Sequence, residues 1–321
     1  MLEMLERRVT ILRVKEEIAE YLKEAIRDTK LADKTKIFVK PNISHPEYLP
    51  GVVTDPALIG ELVGLLRDEA REVIVGESDG FNYSCSLAFE KTGIGKAVKK
   101  AGGTVINLSK DDVVKLRFPN KYSLKTLFLP KTVMDADAVV DLALMKTHEF
   151  AVYSGAIKNL FGCIPSNRRI FLHPYLSEVF YRLFKILSPQ LTVMDARTAL
   201  EGNGPTKGNP VNMNLMLTSN CALATDLIAT KIMGLSLKEV QYLDYIAKRS
   251  GVFENDIIMT GLKPMQVARK FEPPKIDLPV KAQIAVYKHE FLTKLLFSSL
   301  DVVKLFQKVT IAYRGKPIEV G

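Results

Sequence analysis

Strands alternating with helices along this 321-residue chain predict an α/β protein with a doubly wound, mostly parallel sheet, in two α/β lobes with a cleft between them. Three observations carry that expectation. The run Ala138 to Met145 is apolar apart from Asp141, as a parallel strand covered on both faces should be. Prolines and capping residues punctuate the apolar runs. Polar residues cluster just after those runs, where open α/β sheets bind their ligands.

Taken in order, Arg8 to Val14 alternates loosely and reads as a strand, followed by a helix from about Glu16 to Asp28. Lys36 to Val39 is a short β-rich run stopped by Lys40-Pro41-Asn42. Thr54-Asp55-Pro56 opens a helix through about Glu69, with Thr54 or Asp55 as cap. Glu72 to Val75 is a strand ending in Gly76-Glu77-Ser78-Asp79-Gly80, and one helix is expected from Ser86 to Ala101. Thr104 to Leu108, Lys125 to Leu129, Leu191 to Met194, Asn212 to Leu217 and Ile257 to Met259 read as further strands. Helices are expected over Ala222 to Met233, closed by Gly234, and over Leu237 to Arg249, capped by Ser236. After the proline-rich stretch at 273–279, Ala282 to Tyr287 reads as a strand. Phe291 to Lys308 is amphipathic: a core helix, a homodimer contact or a membrane-surface helix. The expected division is an N-terminal lobe over 1–150, a second lobe over 151–272 that completes the pocket, and a C-terminal extension over 273–321.

Composition narrows the function classes. The formal charge is +9, but the basic residues are scattered, which disfavours a nucleic-acid surface and keeps a pocket for small anions. Cys85, Cys163 and Cys221 are an odd, widely spaced set with no CxxC pair, so neither a disulfide framework nor an iron–sulfur cluster is built from this chain alone. A charged start, Met1 to Val9, and the lack of a long apolar run predict a cytoplasmic chain with no signal peptide and no transmembrane segment.

The candidate chemistry lies at strand ends. Lys40 and Asn42, Glu77 and Asp79, Lys146 and His148, and Asp195 and Glu201 all follow apolar strands. Lys146 and His148 share a face if the segment is extended, and such a pair binds an anion or tunes acid–base groups. Asp141, inside the apolar run, needs a partner. In Ser154-Gly-Ala-Ile-Lys158-Asn159-Leu-Phe161-Gly162-Cys163, small residues let backbone approach a ligand beside Lys158 and Asn159. Gly202, Asn203 and Gly204 could form an anion-binding nest or a plain turn. His173 with His148 could hold a divalent metal together with nearby carboxylates. Walker, GxGxxG and GxSxG patterns are absent in the required contexts.

These residues fall in runs that resemble the family known as domain of unknown function 362. The matching runs are Val39-Lys-Pro-Asn-Ile43, Val53-Thr-Asp-Pro56, Val75-Gly-Glu-Ser78, Asp141 through His148, Gly155 through Gly162, Glu201 through Gly208 and Ala224-Thr-Asp226. The resemblance implies an α/β fold and, because many members carry or adjoin a ferredoxin-like segment, redox chemistry with an external electron-transfer protein. This chain departs from that pattern in lacking cluster cysteines, and in having Asn220-Cys221 where relatives usually show an Asp. By analogy the functional positions are Lys40, Asn42, Glu77, Lys146, His148, Lys158, Asn159 and His173.

Together these readings predict an enzyme acting on a small carboxylate or phosphate metabolite by acid–base or metal- or redox-assisted chemistry, as an oxidoreductase or an isomerase/lyase. In it Lys40, Lys146 and Lys158 hold the anion, and His148 moves a proton with Glu77 or Asp141 orienting it. The alternative is a non-catalytic ligand-binding or regulatory protein.

Overall fold

The computed structural model describes residues 6–14, 18–29, 31, 34–119, 122–297, 299, 302, 304, 305 and 308. The first half contains β1 (Arg7–Arg13), α1 (Ile18–Arg27), β2 (Lys36–Lys40), α2 (Pro56–Glu69), β3 (Glu72–Glu77), α3 (Cys85–Lys91), α4 (Ile94–Lys100), β4 (Thr104–Asn107), β5 (Val113–Arg117), β6 (Thr126–Pro130), α5 (Lys131–Met134) and β7 (Ala138–His148). It continues with β8 (Val152–Ser154), α6 (Ala156–Asn159), α7 (Ser166–Arg169), α8 (Leu176–Leu187), β9 (Leu191–Asn203), β10 (Lys207–Ser219), α9 (Ala222–Ile232), α10 (Gln241–Ser250), β11 (Ile257–Gly261), α11 (Pro264–Val267), α12 (Leu278–Lys288) and α13 (Glu290–Phe297).

The main sheet runs β11-β1-β10-β9-β7-β2-β3-β4, with β8 paired to the end of β7. Its pairings are parallel except β1/β10, β10/β9 and β7/β8, so it is an α/β sheet of mostly parallel character. Successive side chains leave opposite faces of a strand, and both faces are covered. Ile37 and Val39 enter a core with Leu22, Leu58 and Ile94 of α1, α2 and α4. Phe38, between them, enters the other core with Phe180, Leu223 and Leu243 of α8, α9 and α10. Every residue of β7 is buried, which explains its near-continuous apolar sequence.

Connectivity places the site. From β2 the chain builds outward through β3 to β4, then returns to β7 on the other side of β2. The crevice between the carboxyl ends of β2 and β7 is therefore the topological switch point, with Lys40 in register with Asp141. Residue 150 falls between the paired strands β7 and β8, and β1 lies between β10 and β11. Strands from both sides of that position are thus neighbours in one sheet.

Several elements differ from the sequence expectation. Asp55, not Thr54, caps α2 by accepting the Ala57 N–H at 2.8 Å, while the Thr54 hydroxyl accepts the Asn42 N–H at 2.8 Å. The helix expected over Ser86 to Ala101 is broken into α3 and α4 at Gly93, whose φ of +80° ends one helix and starts the next. The strand ending at Asp195 continues to Asn203, because β10 pairs with it antiparallel along its length. The helix expected from Leu237 starts at Gln241. Ala282 to Tyr287 lies in helix α12 rather than a strand, since Asp277 accepts the Val280 N–H at 3.0 Å and a proline occupies the first turn. Of the amphipathic Phe291 to Lys308, residues 291–297 lie in α13, and most of the remainder lies outside the described residues.

Candidate functional site

The ends of β2, β3 and β7 converge with α6, α7 and α12 on a cavity of about 570 Å³. Asn42, Glu77, Lys146, His148, Lys158, Asn159 and His173 line it, so seven of the residues expected from the sequence share one site. Arg169 and His45 line it too, as do Tyr83, Gln283 and Tyr287.

Behind the wall runs a buried polar chain. Lys40 forms a salt bridge with Glu77 and donates to the Pro41 carbonyl at 2.6 Å. Lys40 is fully buried and does not line the cavity; it is the internal counter-ion of Glu77 rather than an anion-binding group. Lys146 donates to Asn42 Oδ1 at 2.6 Å, to the Val52 carbonyl at 3.0 Å and to Ser44 Oγ at 3.2 Å. Burial, with Lys158 nearby, pushes the Lys146 ammonium well below the usual lysine range. Asn42 Nδ2 donates to Asn159 Oδ1 at 2.9 Å, and Asn159 Nδ2 donates to Asp141 Oδ1 at 2.7 Å. Asp141 is wholly buried, and burial raises its carboxyl well above the usual range despite the Asn159 bond and Lys40. It sits behind the cavity and positions Asn159, which places it one side chain away from any ligand.

The cations facing the cavity are differently placed. Lys158 is half-buried at the end of α6, and burial, then Arg169, bring its ammonium down to about 8. Arg169 donates to the Asp79 carbonyl. Among the described residues, none of Lys146, Lys158 and Arg169 has a carboxylate ion-pair partner. The lining carboxylates are Glu77, already engaged by Lys40, and Glu47 on the exposed rim. His148 Nδ1 accepts the Phe150 N–H at 3.1 Å. His173 Nδ1 lies 3.0 Å from the Ile170 carbonyl, and burial lowers its imidazole to about 4.

Local sequence explains how α6 is held. Asp226 of α9 accepts the Ala156 N–H at 2.7 Å, the Ile157 N–H at 2.8 Å and the Tyr153 hydroxyl at 2.9 Å. A Cβ at Gly155 would lie 2.3 Å from Asp226 Oδ1, so only glycine admits this approach. Gly162 faces the ion pair: a Cβ there would meet Glu77 Oε1 at 2.3 Å and Lys40 Nζ at 2.8 Å. Gly162→Ala is therefore expected to destabilise the fold by about 1–3 kcal/mol through overpacking, measured by urea denaturation.

Other expected site residues lie elsewhere. Asp79 Oδ1 accepts the Cys85 N–H at 2.8 Å and Asn107 Nδ2 at 2.7 Å, so this carboxylate organises the turn into α3. The Gly202 N–H donates to the Glu272 carbonyl at 2.9 Å and the Gly204 N–H to the Gly202 carbonyl at 2.8 Å, so these amides form no open nest. Asn203 Oδ1 accepts the Lys275 N–H at 2.7 Å. Asp195 pairs with Arg197 at 2.7 Å, and Glu201 with Arg269 at 2.8 Å. Among the described residues no three His, Cys, Asp or Glu side chains gather as metal ligands at His148 and His173. Among the described residues no helix is long and apolar enough to cross a membrane.

Arg169 and Tyr287 were not legible as site residues. Arg169 had a weak signal, the Arg168-Arg169 pair soon after the Gly162-Cys163 run, whereas Tyr287 arrives from α12 by tertiary packing alone.

Among solved structures, the chain is similar to the lactate racemase apoprotein from Thermoanaerobacterium thermosaccharolyticum, with 14% identity, a TM-score of 0.46, and coverage of 71% of this chain and 57% of that one. A protein from Thermotoga maritima gives 14% identity, a TM-score of 0.38, and coverage of 61% and 53%. Among curated proteins, the thylakoid-associated protein sll1697 of Synechocystis sp. is 26% identical over 215 residues, which span 62% of this chain and 63% of that relative's length. The sequence pattern of one family matches residues 37–231, more than half of the chain and the segment that supplies most of the cavity wall. The chain belongs to that family, described as Domain of unknown function (DUF362).

Proposed function

We propose that the cavity binds a small metabolite through its carboxylate or phosphate, and that the protein is an enzyme moving a proton on that metabolite through His148. The observation that carries this reading is the presence of Lys158 and Arg169 on one cavity without a carboxylate partner among the described residues, beside Lys146, whose donors are taken by Asn42, Ser44 and Val52. Buried cations are ordinarily paired, and a cation left facing a cavity is stabilised by an anion that enters it. Lys158 and Arg169 would hold the anionic group, with Asn42 and Asn159 offering further hydrogen bonds. His148 is 7% exposed, lines the cavity and accepts the Phe150 N–H, which makes its imidazole the proton donor or acceptor of this reading.

A thermal-shift screen of carboxylates and phosphates, followed by turnover assays on the hits, tests the reading. His148→Ala is expected to abolish turnover while keeping the ligand-induced shift. A shift with no turnover in the unmodified protein would make it a binding protein, and unchanged turnover in His148→Ala would remove the assigned role.

A further inference from the structure

We infer that the anion taken by this cavity carries an apolar, ring-sized body, making the substrate class an aromatic or bulky apolar carboxylate or phosphate rather than a two- or three-carbon acid. This rests on the anion reading above and adds the rest of the molecule to it. The cavity is bounded by a continuous belt of six rings. His148 lies 5.8 Å from Phe150, Phe150 6.0 Å from Tyr287, Tyr287 4.2 Å from His173, His173 6.0 Å from Phe161, and Phe161 5.5 Å from Phe180. These rings come from the end of β7, the turn between β7 and β8, α12, the turn before α8, the turn after α6 and α8 itself, so the belt is assembled by the fold and not by one amphipathic element.

Phe150, Phe161 and Tyr287 are half-buried and line the cavity. A cavity lined by rings favours a ligand that brings a ring to stacking or edge distance. A volume of about 570 Å³ is in the range that encloses a drug-sized ligand, far more than a bare carboxylate fills. The cations fix the head of the ligand, and the belt is shaped for its body.

Calorimetry on the full chain at pH 7 with acetate, 3-phenylpropionate and the neutral 3-phenylpropanol separates binding of the anionic head from binding of the apolar body. Acetate is measured by displacement. We expect 3-phenylpropionate to bind about 10- to 100-fold tighter than acetate. Tyr287→Ala should lose about tenfold on 3-phenylpropionate and leave acetate unchanged, with Phe150→Ala as a second variant and melting curves confirming that both fold. Lys158→Met should weaken both acids alike. Equal affinities for the two acids would overturn the ring-sized body and leave the anion reading standing. Binding of 3-phenylpropanol as tightly as 3-phenylpropionate would overturn the anion reading and leave the apolar body. Failure of all three to bind would overturn both.

Discussion

Asp226→Ala is expected to destabilise the protein by about 3 kcal/mol or more. Three donors converge on this carboxylate from Ala156, Ile157 and Tyr153, and Asp226 itself is wholly buried. Each buried donor left unsatisfied costs about 1–3 kcal/mol. Lys158 and Asn159 follow directly on the two anchored amides, so anion binding should weaken along with stability. Urea denaturation checks the first effect, and a loss below about 1 kcal/mol would contradict it. The same residue gives a pH signature. Burial raises its carboxyl to about 7, above the unfolded value of about 3.9. A raised folded value means that the contribution to stability is fully present below about pH 4 and is lost as pH rises through about 7. Asp226→Asn should flatten stability between those limits relative to the unmodified chain.

The second large effect concerns the ion pair behind the cavity. Lys40→Met leaves Glu77 buried, 4% exposed, without its counter-ion. Breaking a buried pair on one side costs about 3–5 kcal/mol, whereas replacing both partners with apolar residues is often close to neutral. Lys40→Met alone should therefore be far less stable than Lys40→Met combined with Glu77→Leu. If the double variant is no more stable than the single one, the two groups do not act as a pair. Lys40 does not line the cavity, whereas its partner Glu77 does.

Much of this site was legible because parallel sheets present their strand ends in one crevice. The apolar Ala138 to Met145 run identified β7, and the residues after it, Lys146 and His148, had to emerge at the switch point. Asn42 and Glu77 follow by the same rule from β2 and β3. Strand-end groups that do not reach the cavity are engaged by local hydrogen bonds. Asp79 serves a turn, and the Gly202 and Gly204 amides serve nearby carbonyls. Asp195 is not at a strand end at all, since β10 extends β9 past it. Arg169, His45 and Tyr287 could not be found by strand-end logic, because turns and a C-terminal helix bring them in. Ala282 to Tyr287 was ambiguous because a short apolar run does not distinguish helix from strand; the Asp277 cap and the proline after it decide.

The most direct test of the central claim is the pH dependence of carboxylate binding to the cavity. Acetate and 3-phenylpropionate stay ionised between pH 7 and 9, while Lys158, with its ammonium at about 8, loses its proton across that span. Affinity measured by calorimetry should fall up to about tenfold from pH 7 to 9 in the unmodified chain. In Lys158→Met it should be weaker at pH 7 and nearly flat. Absence of binding, or a profile that Lys158→Met shares with the unmodified protein, would contradict the assignment of this cavity to an anion.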